Sequence, residues 1–412
     1  MAPSPSSGPE AEARVQIDAA LEDAGWVVQN RDEINLAAAQ GVAVREFKLK
    51  HGHGYADYLL FVDGKAVGVF EAKAPGHTLI GVEPQSAKYA SGLPDGLNPP
   101  ITPLPFLYLG TGAVTKLTNL LDPEPRSRFI FHVHRPETLA EWLSALTLDA
   151  WVKDNGAFTE ADDTKPSSLR ARLRAMPGLD PSGLYPNQVT AIVNLETSLR
   201  QDKPRALLQM ATGSGKTLTS VAEIYRLIKF GGARRVLFLV DRSNLGEQAE
   251  KEFQNYETPD DHRKFTALYN VQRLTSNTID AASRVVITTI QRLFSMLKGD
   301  PEFDEPEVEA GNEALLDAPD ALTREPVPVG FNPAIPPEHF DVIFIDECHR
   351  SIYSLWRQVL EYFDAFIIGL TATPTPQTIG FFHGNVVQDY SHEKAVADQV
   401  NVGYDVYSTR SR

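Results

Sequence analysis

The chain has 412 residues, 42% of them hydrophobic, which predicts roughly two or three globular domains with ordinary cores. Its formal net charge of −15 means that the molecule as a whole repels polyanions. Contact with nucleic acid would therefore need local basic patches or backbone amides. The single cysteine, Cys348, excludes an internal disulfide framework and a multi-cysteine zinc site.

Residues 1–12 are rich in Pro, Ser and Ala and are expected to form a disordered leader. They lack the charged-then-apolar order of a secretory signal. No apolar run approaches the ~20 residues that cross a bilayer. A soluble protein of the cytoplasm is therefore expected.

An α+β domain is predicted for residues 13–150. A helical pattern runs from Ala13 to Ala24, and further helices are expected over 82–91 and over PETLAEWLSAL. The strand-like runs are REFKL (45–49), YADYLLFV (55–62), AVGVFEA (66–72), PFLYLG, AVTKLTNL and RFIFHVH.

Residues 151–180 are polar and contain prolines, and they are predicted to be a linker. Their basic run RARLRAMPG (170–178) is compatible with DNA contact and equally with a solvated linker face. Neither interpretation is favoured by the sequence.

Residues 181–390 are predicted to form an α/β domain with a parallel sheet covered by helices on both faces. An acidic segment at 299–337, rich in Pro and Glu, is expected to be a disordered or loosely packed insertion. Residues 391–412 are expected to begin a connection to a further domain. The predicted strands are ALLQM, RVLFLV, FTALYN, RVVITT, DVIFID and FIIGLT, with helices from Lys216 and Asn244.

The strongest motif is QMATGSGKT at 209–217, where a strand ends, a glycine-containing loop follows and a helix begins. In such a loop the amides converge on phosphate oxygens, the lysine reaches the β and γ phosphates, and the threonine hydroxyl ligates Mg²⁺. Met210 stands where the common pattern has glycine. The expected ATP-binding residues are Thr212, Gly213, Ser214, Gly215, Lys216 and Thr217.

A partner motif, DVIFIDECHR at 341–350, delivers Asp346 and Glu347 at the carboxyl end of an apolar strand. Asp346 is expected to hold Mg²⁺ through water, and Glu347 to polarise the attacking water. Cys348 beside them is interpreted as a tolerated small residue and not as a nucleophile.

The order MATGSGKT, VLFLVDR, VVITTIQRL, DECHR, GLTATP resembles motifs I, Ia, Ib, II and III of superfamily-two helicases of the DEAD/DEAH type, over about residues 185–375. The resemblance implies a RecA-like ATPase. That family needs a second RecA-like domain with arginine fingers, and the chain ends at Arg412, so slow hydrolysis by a fragment of a longer motor is expected.

The same resemblance implies roles for individual residues. Gln188 of YPNQ would read adenine, and Thr371 and Thr373 of GLTATP would couple the nucleotide state to domain movement. Arg242 and the segment from Thr288 to Gln291 would contact the DNA backbone, with surface or strand-end residues as the alternative reading.

Residues 55–73, YADYLLFVDGKAVGVFEAK, place Asp57 on one strand-like run and Glu71 with Lys73 on the next. On adjacent antiparallel strands the two carboxylates can meet, and Lys73 points to the same face as Glu71. Neighbouring carboxylates repel unless a cation lies between them, and such oxygen ligands favour Mg²⁺, which can activate water and neutralise a phosphodiester. A salt-bridged structural hairpin is the alternative.

This spacing resembles the core of PD-(D/E)xK nucleases. Gln85 and Tyr89, four residues apart on a predicted helix, resemble the QxxxY element of RecB-like nucleases, although ordinary helix surface also explains them. Glu46 is a candidate for an additional metal-site carboxylate.

A RecB-like nuclease ahead of a DEAH-type motor resembles the restriction (R, or HsdR) subunit of type I restriction-modification enzymes. The resemblance implies ATP-dependent translocation of double-stranded DNA, Mg²⁺-dependent cleavage, and methyltransferase (M) and specificity (S) subunits as partners. Two alternatives remain open: a defence or repair helicase-nuclease that acts alone, and an ATP-controlled DNA-binding module without cleavage.

Overall fold

The computed structural model describes residues 9–76, 79, 92–97, 99–144, 169–300, 328–351 and 356–402. The chain divides into two compact units. The first contains Met1–Ala175, Phe331–His339 and Glu361–Asp364, and the second contains Met176–Gly330, Phe340–Leu360 and Ala365–Arg412. Of the helices in the described ranges, none combines the length and the apolar composition needed to cross a membrane.

A seven-stranded mixed sheet, with its strands in chain order, forms the centre of the first unit. The first and second strands are parallel, as are the fourth and fifth, and all other neighbours are antiparallel. The strands are β1 (Val27–Asn30), β2 (Gly41–Lys48), β3 (Tyr55–Val62), β4 (Lys65–Ala72), β5 (Phe106–Gly110), β6 (Thr115–Asn119) and β7 (Arg128–Ile130).

Helix α1 (Pro9–Asp23) covers one face of this sheet because its apolar residues recur every four positions, at Ala13, Ile17 and Leu21, all of them buried. The side chains of Tyr58 and Phe70 belong to the same core cluster as Ile17 and Leu21. Leu59 and Val69, the next residues along those strands, belong to a second cluster, as the period of two in a strand requires.

The predicted helix at the N-terminus is confirmed, but it begins at Pro9, so the prediction of a disordered leader is wrong for residues 9–12. The strand at 55–62 is confirmed, whereas β1 was not predicted. Within the range predicted as a linker the structure has a helix, and RFIFHVH forms a strand only at its start. The remaining helices of this part of the chain are α2 (Pro136–Ser144) and α3 (Leu169–Ala175), with a 3₁₀ turn at Arg31–Glu33. The helix expected over 82–91, with Gln85 and Tyr89, lies outside the described residues.

The second unit is built on a seven-stranded sheet in which every neighbouring pair is parallel, in the order β10-β11-β9-β12-β13-β8-β14. This confirms the predicted RecA-type parallel sheet. Its strands are β8 (Arg205–Met210), β9 (Val236–Val240), β10 (Val271–Arg273), β11 (Val285–Thr289), β12 (Val342–Ile345), β13 (Phe366–Thr371) and β14 (Val386–Tyr390).

Helices connect these strands, as a parallel sheet requires. The helices of this part of the chain are α4 (Pro186–Arg200), α5 (Lys216–Lys229), α6 (Ser243–Asn255), α7 (Phe265–Leu268), α8 (Ile290–Lys298), α9 (Cys348–Ser351), α10 (Arg357–Glu361), α11 (Pro376–Phe381) and α12 (His392–Ala397).

The prediction of a strand at FTALYN is wrong, because α7 occupies its first four residues. The fully buried Phe265 packs its ring 5.0 Å from that of Phe253, so tertiary packing of an aromatic residue explains the apolar pattern. Strands β10 and β14 were not predicted, because the first has three residues and the second carries polar residues. Most of the acidic insertion, 301–327, lies outside the described residues.

Candidate nucleotide and nuclease sites

The loop between β8 and α5 has the backbone of a phosphate-binding loop. Gly213 and Gly215 have φ angles of 79° and 83°, in the left-handed region that residues with a Cβ avoid. A Cβ at Gly215 would lie 2.1 Å from Nε2 of Gln188. The backbone therefore favours glycine at this position, and a larger residue would also displace the Gln188 amide; α5 begins directly after it at Lys216.

Side chains that the sequence analysis did not single out hold this loop. Nδ2 of Asn187 donates to the carbonyl oxygen of Ser214 at 3.2 Å, and Nδ2 of Asn401 donates to that of Thr212 at 2.9 Å. Asn187 lies beside Gln188 in YPNQ and was within reach of motif reasoning. Asn401 has no motif around it.

Lys216 meets the acidic motif that follows β12. Its Nζ lies 3.3 Å from Oε1 of Glu347, and its side chain is only 11% exposed. Asp346 is fixed by two backbone contacts, since its N–H donates to the carbonyl oxygen of Leu239 and its Oδ1 accepts from the N–H of Glu347. The predicted lysine and carboxylates thus come together at the carboxyl end of the parallel sheet.

The electrostatics of this cluster depend on burial. Burial and the neighbouring charge of Glu347 raise the pKa of Asp346 to about 6, while Lys216 acts in the opposite direction. Oxygen ligands of this kind suit Mg²⁺, which is usually bound through one or two carboxylates together with substrate phosphates. Asp346 and Thr217 are the residues that could hold such an ion.

Thr371, the last residue of β13, is fully buried and joins two of the motifs. Its Oγ1 is hydrogen-bonded to Nδ1 of His349 at 2.9 Å and accepts from the N–H of Thr373 at 3.1 Å. His349 also lies 3.5 Å from Glu347, so a continuous polar chain runs from the acidic motif to GLTATP.

The other candidates in this unit differ in exposure. Gln188 is 1% exposed, and its Oε1 accepts from the N–H of Tyr185 at 2.9 Å. The side chain of Arg242 is 44% exposed, whereas Thr288 and Gln291 are 4% and 5% exposed. Oγ1 of Thr288 and Oε1 of Gln291 have no hydrogen-bond partner among the described residues. Only Arg242 in this group presents its polar atoms at the surface.

The hairpin of the first unit brings the predicted nuclease residues to one end of β3 and β4. Tyr58 pairs with Phe70, so Asp57 lies opposite Glu71 in the same register. Oδ2 of Asp57 accepts a hydrogen bond of 3.0 Å from the N–H of Ala72, the residue between Glu71 and Lys73. Nζ of Lys73 lies 3.7 Å from Oε2 of Glu71.

Two further charged residues contact this group. Nη2 of Arg14, on α1, donates to Oδ1 of Asp57 at 2.8 Å, and Nη1 donates to Oε1 of Glu46 at the same distance. Glu46 was weighed as an extra carboxylate of the site. Arg14 was not predicted, since nothing in the sequence pairs residue 14 with residue 57.

The carboxylates of Asp57 and Glu71 are oxygen ligands of the kind that Mg²⁺ prefers. Among the described residues no group of three or more His, Cys, Asp and Glu side chains is arranged to hold a metal. Mg²⁺ does not require such a group, because it keeps several waters and binds through one or two carboxylates. Asp57 and Glu71 could supply these ligands.

Two family models match the chain. Residues 182–376 match the family described as type III restriction enzyme, res subunit, and residues 31–98 match the second domain of the type I restriction enzyme EcoKI endonuclease subunit. The first match covers the motifs and the strands β8 to β13 of the parallel sheet, and it ends before β14. A helicase-like domain of this kind implies the use of ATP.

The curated relatives are endonuclease subunits of type I restriction enzymes. The type I restriction enzyme EcoKI endonuclease subunit of Escherichia coli (strain K12) is 26% identical, over 96% of this chain and 35% of its own length. The EcoAI endonuclease subunit of Escherichia coli is also 26% identical, over 94% of this chain and 42% of its own length. The chain thus spans well under half the length of these relatives.

A solved structure covers nearly the whole chain as well. It is described as a fragment of an HsdR subunit of a type I restriction enzyme from Vibrio vulnificus YJ016, and it is 20% identical with a TM-score of 0.34. The similarity covers 96% of this chain and 61% of that one.

Proposed function

We propose that this chain belongs to the family of type I restriction enzyme endonuclease subunits and contributes an ATP-dependent DNA motor and a Mg²⁺-dependent nuclease to a restriction enzyme. Its substrate is double-stranded DNA in the cytoplasm. Methyltransferase and specificity subunits are its partners in this proposal, as the resemblance to type I restriction-modification enzymes implies.

One observation carries the nuclease half of this proposal: the hydrogen bond from the N–H of Ala72 to Oδ2 of Asp57. It ties the Asp57 carboxylate to the strand segment that bears Glu71 and Lys73. Two carboxylates and an amine, the set of side chains that the nuclease resemblance requires, therefore lie at the same strand end. The arrangement supports a PD-(D/E)xK nuclease.

The roles follow from the chemistry of each side chain. Asp57 and Glu71 would hold Mg²⁺, which when bound supplies an activated water and neutralises a phosphodiester. The ammonium group of Lys73, beside Glu71, would stabilise the negative charge that develops on the phosphate. Gln85 and Tyr89 remain predicted members of this site.

In the second unit Lys216 and the loop amides would bind the phosphates of ATP, with Thr217 and Asp346 as candidates for its Mg²⁺. Glu347, 3.3 Å from Lys216, would orient the attacking water. The contact of His349 with Thr371 would carry the state of this site to Thr373. Arg242 would contact the DNA backbone.

The proposal is tested by cleavage of unmethylated plasmid DNA by the complete subunit, with its methyltransferase and specificity partners, ATP and Mg²⁺. Asp57→Asn and Lys73→Ala should abolish cleavage and leave DNA-stimulated ATP hydrolysis intact. Asp63→Asn, in the exposed turn of the same hairpin, is the matched control and should cut normally. Cleavage by Asp57→Asn at the wild-type rate would exclude the assigned nuclease site.

A further inference from the structure

We propose that Arg14 is a positioning residue of the nuclease site, one that shares Asp57 with the divalent ion and lowers the affinity for that ion. The inference rests on the proposed nuclease function. It concerns a residue outside the resemblance to PD-(D/E)xK nucleases, and it follows from the contacts of α1 with the sheet.

Helix α1 makes two side-chain clamps onto the sheet, one helical turn apart. Arg14 bridges Glu46 on β2 and Asp57 on β3. One turn later, Asp18 accepts from Nε of Arg45 at 3.0 Å and from the hydroxyl of Tyr58 at 2.8 Å. Only the first of these clamps engages a residue of the nuclease site.

The backbone at Glu46 supports a dedicated arrangement. Its φ of 47° lies in the left-handed region, which residues with a Cβ usually avoid. Backbone strain of this kind concentrates at functional sites, where the surrounding structure maintains it. Here the strained residue supplies the second carboxylate that holds the guanidinium of Arg14 in place.

Both oxygens of Asp57 accept a hydrogen bond, one from Arg14 and one from Ala72. Each still has a lone pair for a metal, so Arg14 does not block coordination. A divalent ion on this carboxylate would, however, lie a few ångströms from a guanidinium that is always charged. The repulsion at this partly exposed site weakens metal binding by about tenfold or more.

The test measures Mn²⁺ binding to the full chain, from the loss of the electron paramagnetic resonance signal of the free ion. The Asp57→Asn chain defines binding elsewhere and is subtracted. Arg14→Gln should tighten the Asp57-dependent binding by about tenfold, whereas Arg14→Lys, which keeps the charge, should bind close to the wild-type level.

Arg45→Gln is the matched control, since it removes the neighbouring α1 clamp. The side chains of that clamp, Arg45 at 33% and Asp18 at 21%, are about as exposed as those of Arg14 and Asp57. It should lower the melting temperature about as much as Arg14→Gln and leave Mn²⁺ affinity unchanged. A change in affinity confined to Arg14→Gln therefore reports charge and not a loosened helix.

Two results would overturn the inference in distinguishable ways. Unchanged or weaker Asp57-dependent binding in Arg14→Gln would mean that Arg14 does not compete with the metal, while the nuclease proposal stands. Absence of any Asp57-dependent binding in both the wild-type and the Arg14→Gln chain would exclude the metal site and the role of Arg14 together.

Discussion

In the first unit the buried carboxylates of Asp364 and Glu338 lie against cations, whereas Asp346 and Glu223 in the second unit are less completely paired. Burial alone would raise the pKa of Asp364, but Arg128 and a hydrogen bond from His134 hold that pKa well below its usual range. Glu338 behaves similarly beside His134 and Arg135. In the second unit burial raises the pKa of Asp346 to about 6.

Glu223 on α5 extends the contrast. It is 1% exposed, and neither of its carboxylate oxygens has a hydrogen-bond partner among the described residues. Burial and the neighbouring Glu196 raise its pKa well above the usual range. A buried carboxylate that pairs with a cation, as Asp364 does, stabilises the fold only as long as both partners remain. A poorly paired one, such as Glu223, is tolerated at a cost in stability or is retained for function.

Removal of the Asp364 carboxylate should have the largest effect. Two oxygens of Asp364 accept from Nε and Nη2 of Arg128, both at 2.9 Å, and Nε2 of His134 lies 3.0 Å away. Asp364→Ala leaves this guanidinium without its main partner and should lower the free energy of unfolding by about 3–5 kcal/mol. Urea denaturation followed by circular dichroism measures the loss.

The control for this change is Asp95→Ala, because the Asp95 side chain is 95% exposed in its pair with Lys50. Exposed pairs contribute about 0–1 kcal/mol, so this variant should unfold close to the wild-type midpoint. Equal effects of the two substitutions would contradict the idea that burial makes the pairing of Asp364 critical.

Lys216→Ala should weaken binding of Mg²⁺-ATP by on the order of 100-fold, since it removes the cation that reaches the phosphates. Isothermal titration calorimetry measures this directly. Lys229→Ala, at the other end of α5, should bind ATP normally. Normal ATP binding by Lys216→Ala would show that Lys216 serves only to pair Glu347, as the cations of the first unit pair their carboxylates.

Glu223→Gln should change the pH dependence of stability. A carboxyl whose pKa is raised in the folded state is protonated there at pH values at which the unfolded chain is ionised. The resulting loss in the free energy of unfolding is absent below the pKa that the group has in the unfolded chain. It grows as pH rises toward the pKa of the folded state, by up to about 1.4 kcal/mol per pH unit. The wild type should therefore lose melting temperature relative to Glu223→Gln between about pH 4.5 and neutrality.

If the melting temperatures of the two chains changed equally over this pH range, the raised pKa of Glu223 would be contradicted. Arg200→Gln offers a further comparison, because Arg200 is one of the cations that lower the pKa of Glu223. Its loss should make the relative destabilisation at neutral pH larger.

The motifs and the parallel sheet could be predicted because their signals are local. A glycine loop between a strand and a helix reports its own geometry, and the apolar runs of β9, β11 and β13 are buried on both faces. Lys216 and Glu347, each assigned to the site from its own motif, lie 3.3 Å apart, a contact that was not itself predicted.

Long-range partners could not be predicted in the same way. Arg14 reaches Asp57 across 43 residues, and Asn401 reaches Thr212 across 189. Neither pair has a spacing that periodicity can detect, since sheet register and chain path decide which residues meet. The strand predicted at FTALYN failed for a related reason, because packing around Phe265 overrides its β propensity.

The smallest effect is expected for Thr371→Val, which keeps the shape and removes the hydroxyl that joins His349 to Thr373. A neutral hydrogen bond contributes about 0.5–1.5 kcal/mol, so stability should fall by a similar amount. Affinity for Mg²⁺-ATP should not change, because the described hydrogen bonds of the Thr371 hydroxyl go to His349 and Thr373 and not to the phosphate-binding loop. DNA-stimulated ATP hydrolysis by the complete subunit should fall by a few fold to about tenfold.

Thr197→Val is the control. It removes a hydroxyl whose described hydrogen bond goes to the carbonyl oxygen of Val193 in its own helix, and it should leave this stimulation intact. Equal stimulation in Thr371→Val and the wild type would mean that the polar chain from Glu347 to Thr373 carries no signal.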